Sequence, residues 1–240
     1  MRYKGEMQRL ARTLGAVLIV AGVLGLAWVA VVWRWQDPVT ALYTHWQQHR
    51  LAQSLDREFA GYRPVRLDRA DLAAERRTIA GDAARFRAHA ARGQAIGRIV
   101  IGRLGLRMVL VNGTDEASLK RGPGRDLRSA MPGQNRLVYI AGHRTTYLAP
   151  FSHIETIRPG DAIRLELPYA TFVYRAVRHR IVAATDLSVL RSPSHELLEL
   201  QACHPRFFAT HRYIVYARLA KVLPRGGAPY RIEAAGVAPA

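Results

Sequence analysis

The pattern of apolar and polar positions divides the chain into distinct stretches. From Leu14 to Trp33 an apolar run carries no charge. Such a run of about 20 residues, at about 1.5 Å rise, covers about 30 Å, the hydrocarbon thickness of a bilayer. Residues 39–60 then place Val39, Leu42, Tyr43, Trp46, Leu51, Leu55 and Phe59 at mostly helical spacing, which predicts an amphipathic helix. Gly61-Tyr62-Arg63-Pro64 punctuates it. Residues 68–92, rich in Ala and Arg, read as a second helix with a thinner apolar stripe. After Gly93 the period changes. Arg98–Ile101, Leu106–Val111, Arg136–Ala141, Ala162–Leu167, Thr171–Ala184, Leu197–Ala202 and Arg212–Leu219 read as strands, and Asn112-Gly113 and Pro159-Gly160-Asp161 as turns. Thr114-Asp115-Glu116 can open a short helix through Lys120. About eight short strands with little helix predict a mainly β barrel or sandwich.

These stretches set the expected organisation: a basic tail over 1–13, an anchor over 14–33, a helical spacer over 34–93, a β-rich core over 94–223, and a Pro-, Gly- and Ala-rich flexible tail over 224–240. A cleaved signal peptide is the competing reading of the first apolar run. The run is longer than a signal core and ends in Trp-Arg-Trp-Gln rather than at small residues. Trp28, Trp33 and Trp35 gather toward one end, as interfacial aromatics do. Arg2, Lys4, Arg9 and Arg12 precede the run against Glu6 alone, and Arg34 after it is balanced by Asp37. The positive-inside rule then puts the N-terminus in the cytoplasm and the core outside, a single-pass protein of the cell membrane. The spacer would hold the core off the bilayer; a substrate-gating arm is the alternative.

Charge changes the picture less than it first suggests. The formal net charge is +18, from 36 Lys+Arg against 18 Asp+Glu. That implies an anionic neighbour, be it lipid, envelope polymer or nucleic acid. The cations are scattered rather than clustered, so nucleic acid is not the expected partner. A single cysteine excludes an intrachain disulfide framework and any multi-cysteine zinc site. Outside the cytoplasm such a residue is buried, paired between chains, or reactive. His45 and His49, four apart on a helix, are a weak metal signal, and no metal is expected there or in the acid-poor core.

Three points in the core bear chemistry. Ala141-Gly142-His143-Arg144 and Gln201-Ala202-Cys203-His204-Pro205 each end a strand, and Arg212 opens the last one. Cysteine attack uses a thiolate, which a histidine partner favours and whose leaving group that histidine can protonate. A fixed arginine stabilises the oxyanion of the tetrahedral intermediate. Cys203, His143 and Arg212 supply these roles from three strands. His204 follows Cys203 directly, so in a strand it faces the other way and reads as a rim residue. Arg206 is the nearest competitor of Arg212.

With those residues in view, Ile96 to Val222 resembles the sortases, most closely class E sortases of actinobacteria. The resemblance rests on Leu137-Val138-Tyr139-Ile140-Ala141-Gly142-His143-Arg144-Thr145-Thr146-Tyr147 with Ala149-Pro150-Phe151, on Cys203-His204-Pro205-Arg206-Phe207, and on Arg212-Tyr213-Ile214-Val215. Asn112-Gly113-Thr114-Asp115 and Leu119-Lys120-Arg121-Gly122-Pro123-Gly124 are also similar to the family. The resemblance implies a closed eight-stranded β-barrel with short helices. It implies a cysteine transpeptidase that cleaves an LPXTG-like sorting signal between Thr and Gly, and for class E an LAXTG-type signal, with Tyr147 matching the tyrosine tied to that preference. The acyl group would rest on Cys203 as a thioester and pass to an amine of a cell-wall precursor or a pilin lysine. No cofactor is implied. Tyr147, Ala202 and Arg206 are the implied substrate contacts. Two departures stand out: Gly102 where the family has proline, and Gln201-Ala202 where it has a pair such as Thr-Thr. Ala202 lacks a hydroxyl beside the nucleophile, which supports the alternative of a catalytically degenerate sortase-like domain that binds peptide or envelope polymer. A membrane-tethered electrostatic adaptor and a cysteine hydrolase are further rivals.

Overall fold

The computed structural model describes residues 2–34, 38–64 and 71–232. Trp35, Asp37 and residues 233–240, which figured in the expected topology and tail, lie outside the described residues. The first helix, α1 (Arg2–Arg34), runs continuously through the basic and apolar stretches. Its segment Arg9–Val31 is long and apolar enough to cross a bilayer, and none of it is buried against the rest of the protein.

Helix α2 (Pro38–Gly61) follows, then α3 (Leu72–His89), whose N-cap Asp71 accepts from the Ala74 amide at 2.9 Å. A simple spacer is expected here, yet α2 is docked along its length. Leu51 and Leu55 are buried against Ala95, Val109 and Val111; each such side chain contributes about 1.5–3 kcal/mol on leaving water. Gln48 donates to the carbonyls of Val109 (3.1 Å) and Arg121 (2.7 Å) and accepts from the Val109 amide (2.7 Å). Thr44 Oγ1 donates to the Lys120 carbonyl at 2.8 Å. The thin stripe of α3 suffices because Ile79 and Ala83 enter the main core while Glu75 and Asp82 are buried beside them.

The core is a barrel of eight strands: β1 (Ala95–Ile101), β2 (Leu106–Asn112), β3 (Gly124–Arg125), β4 (Leu137–Ala141), β5 (Ala162–Glu166), β6 (Ala170–Ala183), β7 (Leu197–His204) and β8 (His211–Pro224). A short helix, α4 (Glu116–Leu119), sits between β2 and β3. The strands run in the order β6-β5-β1-β2-β3-β4-β7-β8, and β8 pairs back onto β6, closing the ring. Every pair is antiparallel except β2–β3 and β4–β7. Closure removes the sheet edges that would otherwise pair with other chains.

Two elements depart from the sequence pattern. The two-residue β3 has no periodicity of its own and exists because it bridges β2 to β4. A loose tail is expected from residue 224, but β9 (Tyr230–Arg231) returns to pair with Lys221 and Val222 of β8. β7 leaves that edge of β8 beyond Arg218, and β9 takes it over.

Alternation along each strand separates two apolar clusters. Val138, Ile140, Leu198, Leu200, Ala202, Tyr213 and Val215 face the barrel interior. Leu137, Tyr139, Ala141, Ile214 and Tyr216 face outward, where Val182 and Val189 cover them. The loop from Ala184 to Glu196 thus roofs part of the outer face of β4, β7 and β8.

Candidate active site

The parallel pairing of β4 with β7 sets Ala141 opposite Gln201. His143 and Cys203 each lie two residues further, so both return to the outer face beside one another. The antiparallel pairing of β7 with β8 sets Cys203 directly opposite Arg212. Two pairings of opposite sense therefore bring three residues far apart in sequence to one place. All three line a cleft of about 290 Å³, with Tyr139, Gln201, Asp126, Arg128, Leu187 and Val189 among its other walls.

Local sequence explains how His143 is held. A Cβ on Gly142 would come within 2.7 Å of the Phe151 ring, so only glycine lets the chain turn out of β4 at this point. The Phe151 amide then donates back to the His143 carbonyl at 3.1 Å. Tyr147, Leu148 and Ala149 follow in the left-handed region, with φ of 53, 61 and 37°. Three such residues in a row store strain of roughly 1–2 kcal/mol each. Part of the offset comes from α2: Thr40 Oγ1 accepts from the Tyr147 amide at 3.1 Å, and the Tyr43 ring meets the Tyr147 ring edge-on at 6.5 Å between centroids. Tyr147 in turn lies against His143, ring centroids 5.1 Å apart.

The electrostatics of His143 favour its neutral form. Burial lowers its pKa first, and the Lys120 ammonium lowers it further, against a smaller opposing pull from Glu116. Its Nε2 has no hydrogen-bond partner among the described residues. Arg212 is anchored through one nitrogen, Nη1, which donates to the carbonyls of Ala209 (2.7 Å) and His211 (3.0 Å). Its other donors stay available to a ligand in the cleft.

Arg144 follows His143 in sequence and is almost fully buried. Its Nη1 donates to the Cys203 carbonyl (3.1 Å) and to His204 Nδ1 (2.9 Å), and its Nη2 to Glu155 (2.8 Å). Guanidinium only donates, so His204 Nδ1 accepts and its ring proton sits on Nε2. Burial and the Arg144 charge together lower the His204 pKa, in that order. His204 is thereby a neutral partner on the far side of the strand from Cys203. Arg144 ties together the strand ends that carry His143 and Cys203. Sequence reasoning gave it no role, although its place beside His143 in a Gly-His-Arg run was the available signal.

None of the three expected substrate contacts lines the cleft. Ala202 is corrected: it is fully buried in the interior core, because it alternates with Cys203 along β7. A missing hydroxyl there is not missing from the cleft. Tyr147 does not line the cleft and reaches it through His143. Arg206 is half-buried on the β7–β8 loop, outside the cleft wall. Sequence reasoning also missed Asp126 and Arg128, paired at 2.8 Å in the cleft, and Glu199, a buried carboxyl on the same face as Cys203.

Comparison with known proteins follows the same outline. The family model described as the Sortase domain matches residues 99–220. Over 131 residues the chain is 34% identical to Sortase D of Bacillus subtilis (strain 168), a match covering 52% of this chain and 64% of that protein. Over 110 residues it is 31% identical to Sortase SrtE1 of Streptomyces coelicolor (strain ATCC BAA-471 / A3(2) / M145), covering 41% of this chain and 31% of that one. The matches thus span less than two thirds of either curated relative's length. Among solved structures, a Clostridium perfringens Sortase D5 transpeptidase aligns with TM-score 0.57 at 23% identity, over 72% of this chain and 98% of its own, which is a likeness of fold.

Proposed function

The chain belongs to the sortase family, and on that premise we propose that it is a membrane-anchored cysteine transpeptidase acting through Cys203, His143 and Arg212. The observation that carries this is the shared cleft, with Cys203 and Arg212 directly paired across β7 and β8 and His143 two residues past the end of β4. In the proposed reaction Cys203 Sγ attacks the threonine carbonyl carbon of an LAXTG- or LPXTG-type signal. Neutral His143 takes the thiol proton. Arg212 donates to the oxyanion of the tetrahedral intermediate. As the C–N bond breaks, His143 returns the proton to the glycine amine, which leaves. A second amine, from a cell-wall precursor or a pilin lysine, then attacks the thioester. His143 removes its proton and the Cys203 thiol is restored. The thioester conserves the energy of the peptide bond, so the scheme needs neither nucleotide nor metal.

The LAXTG preference and the class E assignment rest on the Tyr147 motif. Tyr147 would influence the choice of signal by supporting His143 and its loop. For location, the proposal is a single span over 14–33 with the barrel outside, supported by its apolar length and by Arg9 and Arg12 just before it.

The test uses the full chain in detergent with LAXTG and LPXTG peptides and an amine acceptor. Mass spectrometry should find cleavage at Thr-Gly and a ligated product, both absent with Cys203→Ala. Peptide cleaved without ligation across several amines would replace transpeptidase with hydrolase. Turnover that survives in Cys203→Ala would defeat the proposal.

A further inference from the structure

Helix α2 runs along the barrel from one end to the other. Its first turn touches the catalytic loop, through Thr40 on the Tyr147 amide and Tyr43 on the Tyr147 ring. Its last turn lies at the other end of the barrel, where Gly61 and Glu58 share a surface depression with Pro168, in the β5–β6 turn. The helix is 24 residues long, so these two ends are about 36 Å apart. The apolar segment ends at Val31, and even a fully extended chain from there to Thr40 reaches only about 30 Å. The chain leaving the span therefore joins the barrel at its Cys203 end, with the β5–β6 turn a helix length further along.

The Cys203 end is unusually apolar for a solvent-facing surface. Phe208 and Phe207, on the β7–β8 loop just past Cys203, are 76% and 52% exposed. Leu42 and Trp46, on the first turns of α2, are 74% and 52% exposed. Thr44, Gln48 and Leu51 take the face of α2 that meets the barrel, which leaves Leu42 and Trp46 on the other side. Aromatic and leucine side chains beside basic ones are what an interfacial surface presents to lipid. Arg50 over the Trp46 ring (4.9 Å) and Arg206 beside Phe207 supply the basic component.

We propose that this end of the barrel is a lipid-contact surface. Phe207, Phe208, Leu42 and Trp46 enter the headgroup layer of the bilayer that holds α1, so the cleft works at the membrane surface. The occupant is the anionic lipid interface, rather than a second copy of the chain. The inference rests on the membrane-anchored reading above. It adds that the cleft faces down, toward substrates that are themselves still held by the membrane.

The experiment uses the full chain with Cys203→Ala in vesicles containing anionic phosphatidylglycerol. One environment-sensitive fluorophore is placed at a time, on Phe208→Cys, Ala60→Cys or Leu24→Cys, with nitroxide-labelled lipids as quenchers. Quenching and a blue shift at positions 24 and 208, with neither at 60, is the expected result. Quenching at 24 with none at 208 overturns the lipid-contact surface and leaves the anchor standing. No quenching at 24 removes the anchor and the inference with it. Equal quenching at 208 and 60 would mean the barrel has no fixed orientation and would also overturn it. A blue shift at 208 that depends on protein density and not on lipid nitroxide would assign the patch to a second copy. As a functional check with Cys203 restored, Phe207→Ser with Phe208→Ser should slow processing of a vesicle-anchored signal about tenfold and leave a soluble peptide unaffected. Equal loss on both would contradict the proposal.

Discussion

Just before β7, Glu196 is buried, and its carboxylate receives the Tyr174 hydroxyl (2.5 Å) and the amides of Gly133 (2.9 Å) and Asn135 (3.1 Å). At the end of the same strand, His143 Nε2, Arg144 Nε and Arg206 Nε are buried without a hydrogen-bond partner among the described residues. Glu199, between the two ends, leaves Oε2 unpartnered as well. Native proteins seldom leave buried polar atoms unmet, because each costs about 1–3 kcal/mol. The start of the strand is thus fully hydrogen-bonded, while its other end, beside Cys203, leaves polar atoms unpartnered among the described residues, as do Glu75 Oε1 and Arg121 Nε elsewhere.

The contrast breaks most severely at the catalytic end. His143→Ala removes the proton carrier and should lower kcat by roughly 10²–10⁴, and Arg212→Ala should lower it by roughly 10²–10³. Both should melt near the wild-type temperature, which circular dichroism would check beside a peptide-cleavage assay. Glu196→Gln should do the reverse, retaining turnover while lowering the melting temperature.

Arg144 sharpens the comparison because it joins both properties. Arg144→Met withdraws the donors to the Cys203 carbonyl and His204 and removes the arginine partner of Glu155. The expected cost is about 1–3 kcal/mol of stability, with a kcat loss of about tenfold, read from thermal melts and single-turnover kinetics. Arg144→Lys should recover the charge and little of the effect, since lysine lacks the fork that reaches three acceptors.

Glu199 gives a smaller, signed effect. Burial pushes its pKa up to about 8, against a lesser lowering by Arg178, so the folded state holds a proton that the unfolded chain releases near its usual value. Stability then falls as pH rises from about 4.5 to about 8 and levels off above that. Glu199→Gln should remove that share of the slope and raise the melting temperature at pH above 8 by about 2–4 °C, the shift that about 1 kcal/mol gives at this size. A melting series across pH for both proteins reads it directly.

Much of this layout was legible in the sequence. The helix over 39–60 and seven of the strands were visible as apolar periodicity because each has enough residues to show a period. β3 and β9 were not, since two-residue strands exist only through their partners. The inward face of Ala202 follows from alternation with Cys203 and was available in principle; the family motif drew attention to its missing hydroxyl instead. Long-range placement was the least accessible part. No local pattern reveals that β4 and β7 are parallel, that α2 lies along the barrel, or that Arg144 reaches across to the Cys203 carbonyl.

The smallest predicted effect concerns pH. Since burial and Lys120 hold the His143 pKa below its ordinary 6.5, the acidic limb of kcat should lie below that value. Lys120→Met removes the nearby ammonium and leaves Glu116 unpaired, so the limb should move up toward 6.5. A pH–rate profile of both proteins checks the direction.

The central claim is that the nucleophile of this cleft becomes acylated. The most direct test mixes the full chain with an LAXTG-type peptide, without an amine, quenches in acid and weighs the intact protein. The account predicts an added mass equal to the peptide up to its threonine, located on Cys203, discharged by hydroxylamine and missing in Cys203→Ala. Peptide turnover without any adduct on Cys203, or an adduct that persists in Cys203→Ala, would contradict it.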